Sequence, residues 1–369
     1  MSAGACAECL RRAWLLRALA PYIDRAASGA VGRRCAELLA LSSADLCAAV
    51  APKEAERLLE ETAKLPEREL RRALERAGCW SLCRHGDAYP AGLRDARDAP
   101  WALLGVGDRD LVAGLAPDEA VAVVGARRAS GYGRDVARSL GRDLAGAGLV
   151  VVSGLAYGVD GAAHRGAVER GRAIAVLGSG PDVAYPAAHR GLHRRVRAAG
   201  AVISEQPPGT TPWRWTFPAR NRIMAALARM TVVVEAASGS GSLITVGLAQ
   251  DLGRDIGAVP GPVNSRLSVA SNDLLASGAC MVRGAQDVLD AMLGPGAAAV
   301  TQTGPPLDPG LGAALSALER AGGTSDALAA ELALPAGAAA VALVRLERLG
   351  YVRGDPLGGY ARTLLQAPT

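Results

Sequence analysis

A glycine- and arginine-rich turn, GARRASGYG at residues 125–133, separates a short β-branched run from a helical segment. Gly125, Gly131 and Gly133 let backbone amides approach an anion closely. The start of the following helix adds partial positive charge, and Arg127 and Ser130 offer side-chain donors. This is phosphate-binding chemistry. It is not the dinucleotide fingerprint, which needs GxGxxG at this turn and an acidic residue closing the second strand, where Ser153-Gly154 stands instead. The chemistry recurs downstream: SGLAYGVDGAAH at 153–164, GSG at 178–180 with Gly178, and SGSGSLIT at 238–245 with Ser240, Gly241 and Ser242 put small residues and hydroxyls where helices start. FPARNRI at 217–223 adds Arg220, Asn221 and Arg222. Several anion sites along one sheet edge suit a polymer of phosphates better than a single cofactor.

Other chemistries find less support. A Walker A loop needs GK[ST], yet the only lysines are Lys53 and Lys64, which also removes any Schiff-base lysine from this region. No serine sits in a GxSxG elbow, and His164, one helical turn from Asp160, reads as a hydrogen-bonding residue at a helix start. Glu205 and Glu235 end strands and read as partners that orient arginines such as Arg220 and Arg222 rather than as acid and base. Cys6 and Cys9 form a CxxC, and with Cys79 and Cys83 suggest a four-thiolate zinc site. The looser second spacing and the lack of zinc-ribbon turns favour small buried or terminal thiols instead. The residues thus assign no catalytic group, no cofactor and no metal. Trp213, Trp215 and Phe217 interleave with Arg214 and Arg220 as in a stacking platform for unpaired bases. Phe217, the only phenylalanine, is the better core anchor of the three, and the two tryptophans are the better stacking surface.

The elements that must position these residues form an α/β pattern. Short apolar runs at 121–124, 150–152, 174–177, 201–204, 232–235 and 256–259 alternate with helical segments, and a last short pair lies near 272–292. Parallel strands need crossovers and burial on both faces, so this predicts a Rossmann-like parallel sheet over 118–293, with ligands at the carboxyl ends of its strands. Residues 1–88 read as a small helical module of the SAM or helix-hairpin-helix kind, and 89–117 as a connector of turns packing on the core. Residues 294–310 read as a Gly/Pro-rich linker, and 311–369, with three helices and a hairpin around 355–359, as a winged helix.

Composition agrees with several domains. A chain of 369 residues exceeds what one core usually organises. The net charge of +5 is unevenly spread: Lys and Arg against Asp and Glu number 17 to 16 in 1–117, 19 to 14 in 118–293 and 5 to 6 in 294–369. The excess is almost all arginine, which favours planar, bidentate phosphate contacts. Seven cysteines, an odd number without a disulfide framework, fit a reducing compartment. No apolar run approaches the ~20 residues of a membrane span, and Glu8, Arg11 and Arg12 interrupt any secretory core, so a cytoplasmic protein is expected. Aromatic residues are only 4% of the chain, so affinity for nucleic acid should rest on phosphates and depend on salt.

From Tyr89 to Arg283 the motifs resemble the DNA-processing protein A (DprA, or Smf) family: VVGARRASGYG, VVSGLAYGVDGAAH, AVLGSG followed by Tyr185-Pro186, ISEQPPGTTP, FPARNRI, VVVEA with SGSLIT, AVPG and SNDLLASGA. The resemblance implies a non-enzymatic homodimer that binds single-stranded DNA and loads the RecA recombinase onto it during natural transformation. Carried over by motif, Arg127, Ser130, Ser153, Gly154, Arg220, Asn221, Arg222 and Ser240 to Ser242 would line the DNA groove. Ala126 departs from a usual serine, Ala270 from a usual glycine, and Gly239 holds a position often basic. Two other classes compete. A nucleotide hydrolase of the lysine-decarboxylase-like type would carry PGGxGTxxE, which is absent. A transcription regulator would read bases with AAVALVRLERLG at 339–350, where only Arg345, Glu347 and Arg348 offer polar reach. That segment suits partner binding or dimer support better.

Overall fold

The computed structural model describes residues 4–27, 31–296, 305–321, 323–355 and 358–363. The described residues up to 296 fall in one compact unit and those from 305 onward in a second. The first unit is organised by a nine-stranded sheet of β1 (Trp80–Cys83), β2 (Ala102–Gly107), β3 (Ala120–Val124), β4 (Val150–Ser153), β5 (Ala173–Leu177), β6 (Gly200–Ser204), β7 (Met230–Val233), β8 (Asp255–Ala258) and β9 (Cys280–Met281). Their order across the sheet is β1-β2-β6-β5-β4-β3-β7-β8-β9. From β6 to β9 every pairing is parallel, as in Val121 against Val151 and Val123 against Val232. Runs such as AVAVV in β3 and AIAVL in β5 are buried along their whole length, as strands covered on both faces must be.

The sheet extends past the predicted boundary. β1 and β2 pair antiparallel with one another, and β2 pairs antiparallel with β6. The segment read as a connector of turns therefore contains a sheet strand, and the N-terminal module ends in another. The Pro-rich flanks of WALLGVG concealed a six-residue strand whose first five residues are buried.

The N-terminal part of the chain forms helices Ala7–Ala26, Val31–Ala40, Ser43–Val50, Ala55–Ala63 and Glu67–Arg76. They do not stand apart from the sheet, because Trp215 and Ala219 complete the core formed by Leu15, Leu16, Leu19 and Ile23. The indole Nε1 of Trp215 donates to the Ala20 carbonyl at 3.1 Å. One of the two tryptophans expected to stack on bases is thus a core residue.

In the C-terminal unit, helices Pro309–Ala321, Ser325–Leu332 and Ala336–Arg348 precede an antiparallel hairpin of β10 (Val352–Gly354) and β11 (Tyr360–Arg362). The Thr324 hydroxyl caps the second helix by accepting from the Ala327 amide at 3.2 Å. Leu315, Leu328, Leu343 and Tyr351 share this unit's own core. Residues 297–304 of the predicted linker, and Pro356 and Leu357 of the predicted turn, lie outside the described residues.

His164 lies under the sheet, fully buried in helix Val159–Ala167, where Nε2 donates to the Ile174 carbonyl at 3.2 Å. Burial is the main cause that pulls its pKa down to about 4. The folded value lies below the unfolded one, so the neutral ring stabilises the fold above pH ~6.5 and this contribution is lost as pH falls toward 4. Denaturant melts at stepped pH should show up to ~3 kcal/mol of acid sensitivity from this residue, absent in a folded His164→Gln variant.

Candidate nucleic-acid interface

The chain runs outward from β3 through β4 and β5 to β6, then returns to place β7 on the other side of β3. The helices after β3 and β7 therefore leave on opposite faces, and a crevice opens beyond the carboxyl ends of these two strands. A cavity of about 460 Å³ lies there. Its walls are Gly125 to Arg127 after β3, Ala237 to Ser242 after β7, and Phe217, Arg220 and Asn221 from helix Thr216–Leu227.

Arg220 forms the floor. It is buried, its Nη1 donates to the carbonyls of Val176 (2.9 Å) and Gly154, and its Nη2 lies 3.8 Å from Asp160 Oδ2. Its Nε is buried with no hydrogen-bond partner in the described structure. Burial moves both members of this pair toward their neutral forms. It lowers Arg220 to about 10, and it raises Asp160 against the pull of Arg220 and the amides of Ala156 and Gly154. At neutral pH Arg220 still carries its charge. The Gly154 position admits no side chain, because a Cβ there would overlap the Arg220 guanidinium.

Phe217 lies between two cations. The Arg127 guanidinium is 5.2 Å and that of Arg220 5.7 Å from its ring centre, and Tyr185 packs against it at 5.4 Å. Arg127 is exposed at the mouth and makes no ion pair among the described residues. On the far wall the Ser240 and Ser242 hydroxyls lie 2.8 Å apart, and at the start of helix Ser242–Asp251 the Ser242 and Leu243 amides donate to the hydroxyl (3.4 Å) and the carbonyl (3.0 Å) of Ser240. Asn221 Nδ2 donates to the Gly241 carbonyl at 3.4 Å and links the two walls. Hydroxyls at the positive end of a helix with two arginines opposite make a site for anions.

The structure gives several of the other candidates different work. Ser130 caps helix Gly131–Gly146 by accepting from the Gly133 amide at 3.0 Å, and donates to Glu235 Oε1 at 2.6 Å. The Ser130 amide donates to Glu235 Oε2 at 2.8 Å, and a Cβ on Gly133 would overlap that same carboxylate. The helix start after β3 thus already holds an anion, the side chain of Glu235, and does not offer the phosphate cradle that the glycine turn suggests. Glu235 is structural, as expected, but it caps a helix rather than orienting an arginine. Ser153 is buried and donates to the Val123 carbonyl at 2.6 Å. Gly178 packs on Thr216. Arg222 directs Nε to the Asp98 carbonyl, Nη1 to the Ala219 carbonyl and Nη2 to both oxygens of Glu205, each at 2.8 Å. It is a strut between the connector and the sheet, and its pairing with Glu205 is the one foreseen.

The aromatic assignment also reverses. Phe217 borders the cavity while Trp215 is core; Trp213 remains exposed, as do Tyr157 and Tyr185. Tyr157 lies within SGLAYGVDGAAH and Tyr185 in the Tyr185-Pro186 pair, yet neither stands out among the small and basic residues of those motifs. Their only signal is their position in strand-end loops. Ser130→Ala should cost ~1 kcal/mol in thermal or denaturant unfolding through the lost cap, and leave affinity for single-stranded DNA within a factor of two.

A profile of the family described as DNA recombination-mediator protein A matches residues 80–293. The chain belongs to this family. It is 42% identical over 206 residues to DNA processing protein DprA of Streptococcus pneumoniae, covering 55% of this chain and 71% of that protein. A relative from Mycobacterium tuberculosis is 44% identical over 191 residues, and the match spans about half of each protein, 52% of this chain and 48% of the other. Among solved structures, DNA processing protein A from Streptococcus pneumoniae superposes with a TM-score of 0.58 at 36% identity, over 68% of this chain and 86% of that one. A structure of the Helicobacter pylori protein, described as giving insight into its single-stranded DNA binding mode, superposes with a TM-score of 0.51 at 30% identity, over 55% and 92%. The family match covers the whole sheet from β1 to β9, including the two antiparallel strands.

Proposed function

We propose that this chain binds single-stranded DNA in the crevice between the ends of β3 and β7, and that it delivers the strand to a RecA-type recombinase during transformation or recombination. The observation that carries this reading is the pairing of Arg127 and Arg220 around Phe217, facing the Ser240–Gly241–Ser242 turn across one cavity. Arginines and hydroxyls bind phosphates, and an aromatic face accepts a base of any identity. Gly125, Arg127, Arg220, Asn221, Ser240, Gly241 and Ser242 are the contacts assigned. Binding is sequence-tolerant because backbone phosphates and stacking supply it.

The relatives named for DNA processing, and the Helicobacter pylori structure described by its single-stranded DNA binding, support the substrate class. No single helix among the described residues is long and apolar enough to cross a membrane. We place the protein in the cytoplasm, as a non-enzymatic homodimer that needs no cofactor, and read the helices and hairpin of 309–362 as a winged helix serving partner binding or dimer support. The test is RecA filament formation on DNA already coated with single-strand-binding protein. Addition of the chain should shorten the lag. An unchanged lag alongside intact DNA binding would remove the recombinase step, and release of free base from nucleoside monophosphates would replace the binding reading with a hydrolase.

A further inference from the structure

The helix Ala7–Ala26 and the edge strand β1 meet at a cluster that the DNA-binding reading does not use. Cys6 is the N-cap of the helix, Cys9 lies in its first turn, Cys83 ends β1, and His85 follows in the turn. One donor atom from each of these four residues falls in a group where all lie within 4.8 Å of one another. His85 Nδ1 is 3.5 Å from Cys6 Sγ and 3.5 Å from Cys9 Sγ. With Zn–S near 2.3 Å and Zn–N near 2.0–2.1 Å, the S to N edge of a tetrahedral zinc site is about 3.5 Å. The observed edges have that length. The expected four-thiolate set named Cys79, but its thiol turns to the Ala77 carbonyl, and the fourth donor is a histidine from the turn beyond the strand.

From this geometry we infer that Cys6, Cys9, Cys83 and His85 bind one Zn²⁺, in place of the metal-free reading of the sequence. Three thiolates and an imidazole are ligands that suit zinc, not calcium or magnesium. Four protein donors close the coordination sphere and leave no position for water or substrate, so the site is structural. Its surroundings hold the ligands. The Cys6 amide donates to Cys83 Sγ at 3.4 Å, as outer-shell groups do toward ligating sulfur. The helix N-terminus favours the net negative charge of a zinc ion bearing three thiolates. Between the two ligands of the second pair, Arg84 lies over the Trp101 ring at 5.2 Å, and Arg12 lies at 5.2 Å from the same ring. Cys9 and Cys83 belong to a small core with Leu10, Leu70 and Leu104, so the ion would clamp the N-terminal helices to the antiparallel edge of the sheet.

The experiment is metal analysis of the full chain, purified without a histidine tag in reducing buffer, followed by Co²⁺ substitution. One zinc per chain is expected, and the cobalt form should show the visible bands of a tetrahedral thiolate site. Cys9→Ser and His85→Ala should lose the zinc, His85→Cys should keep it with a shifted cobalt spectrum, and Cys280→Ser should match the parent. If Cys9→Ser does not fold, the parent and His85→Cys spectra still decide the matter. Far less than stoichiometric zinc with no cobalt bands, a Cys6–Cys9 disulfide in the purified chain, or a cobalt spectrum indifferent to His85→Cys would each overturn the assignment. Iron in place of zinc would overturn the choice of metal.

Discussion

Arg127→Ala should weaken binding of a thymidine oligonucleotide by roughly tenfold to a hundredfold at low salt, the equivalent of ~1.5–3 kcal/mol for one charged contact. The side chain is exposed at the cavity mouth with Phe217 beneath it, so its loss removes a cation without disturbing the core. The plot of log affinity against log salt should also flatten by about 0.7, one counterion released from a single strand. Fluorescence anisotropy over a salt series measures both. Unchanged affinity and slope would take the turn after β3 out of the interface.

Arg222→Ala should have the opposite signature. Its guanidinium is buried and paired on every nitrogen, so truncation strands the Glu205 carboxylate in the interior and should cost ~3–5 kcal/mol of stability. The folded fraction should bind single-stranded DNA as the parent does. A denaturant melt and an affinity measurement on the same preparation separate the two arginines of the FPARNRI motif. A stable variant that lost DNA binding would return Arg222 to the groove. Replacing Arg222 and Glu205 together by apolar residues of similar size should recover part of the lost stability, because no charge is then left unpaired.

These two arginines show what the chain disclosed in one dimension. Strand and helix alternation set out the parallel core almost residue by residue, because buried parallel strands need unbroken apolar runs and the intervening helices need their own period. Strand order was not legible in the same way, yet it creates the crevice by returning β7 to the side of β3. β1 and β2 were hidden because a four-residue edge strand, and an apolar run that follows Pro100 in a turn-rich segment, carry no periodic signal. At the site, composition identified the right segments but not the direction of side chains. Arg127, Arg220 and Arg222 look alike in sequence; the partners that absorb Arg222 lie on Asp98 and Glu205, distant along the chain. Glu235 could not be foreseen as the anion at the helix start, since 105 positions separate it from the Ser130 it touches. Phe217 and Trp215 exchanged roles for a similar reason: the N-terminal helices supply the core that buries the tryptophan. His85 escaped the cysteine pattern because it joins that cluster from the turn beyond β1.

The most direct test is photo-crosslinking of a thymidine oligonucleotide to the intact chain, with the attached peptides mapped. Attachment should concentrate in 213–221 and 237–245, the two walls that face each other across the cavity. Crosslinks confined to 305–363, or none even in dilute buffer, would contradict the assignment of this crevice to an unpaired strand.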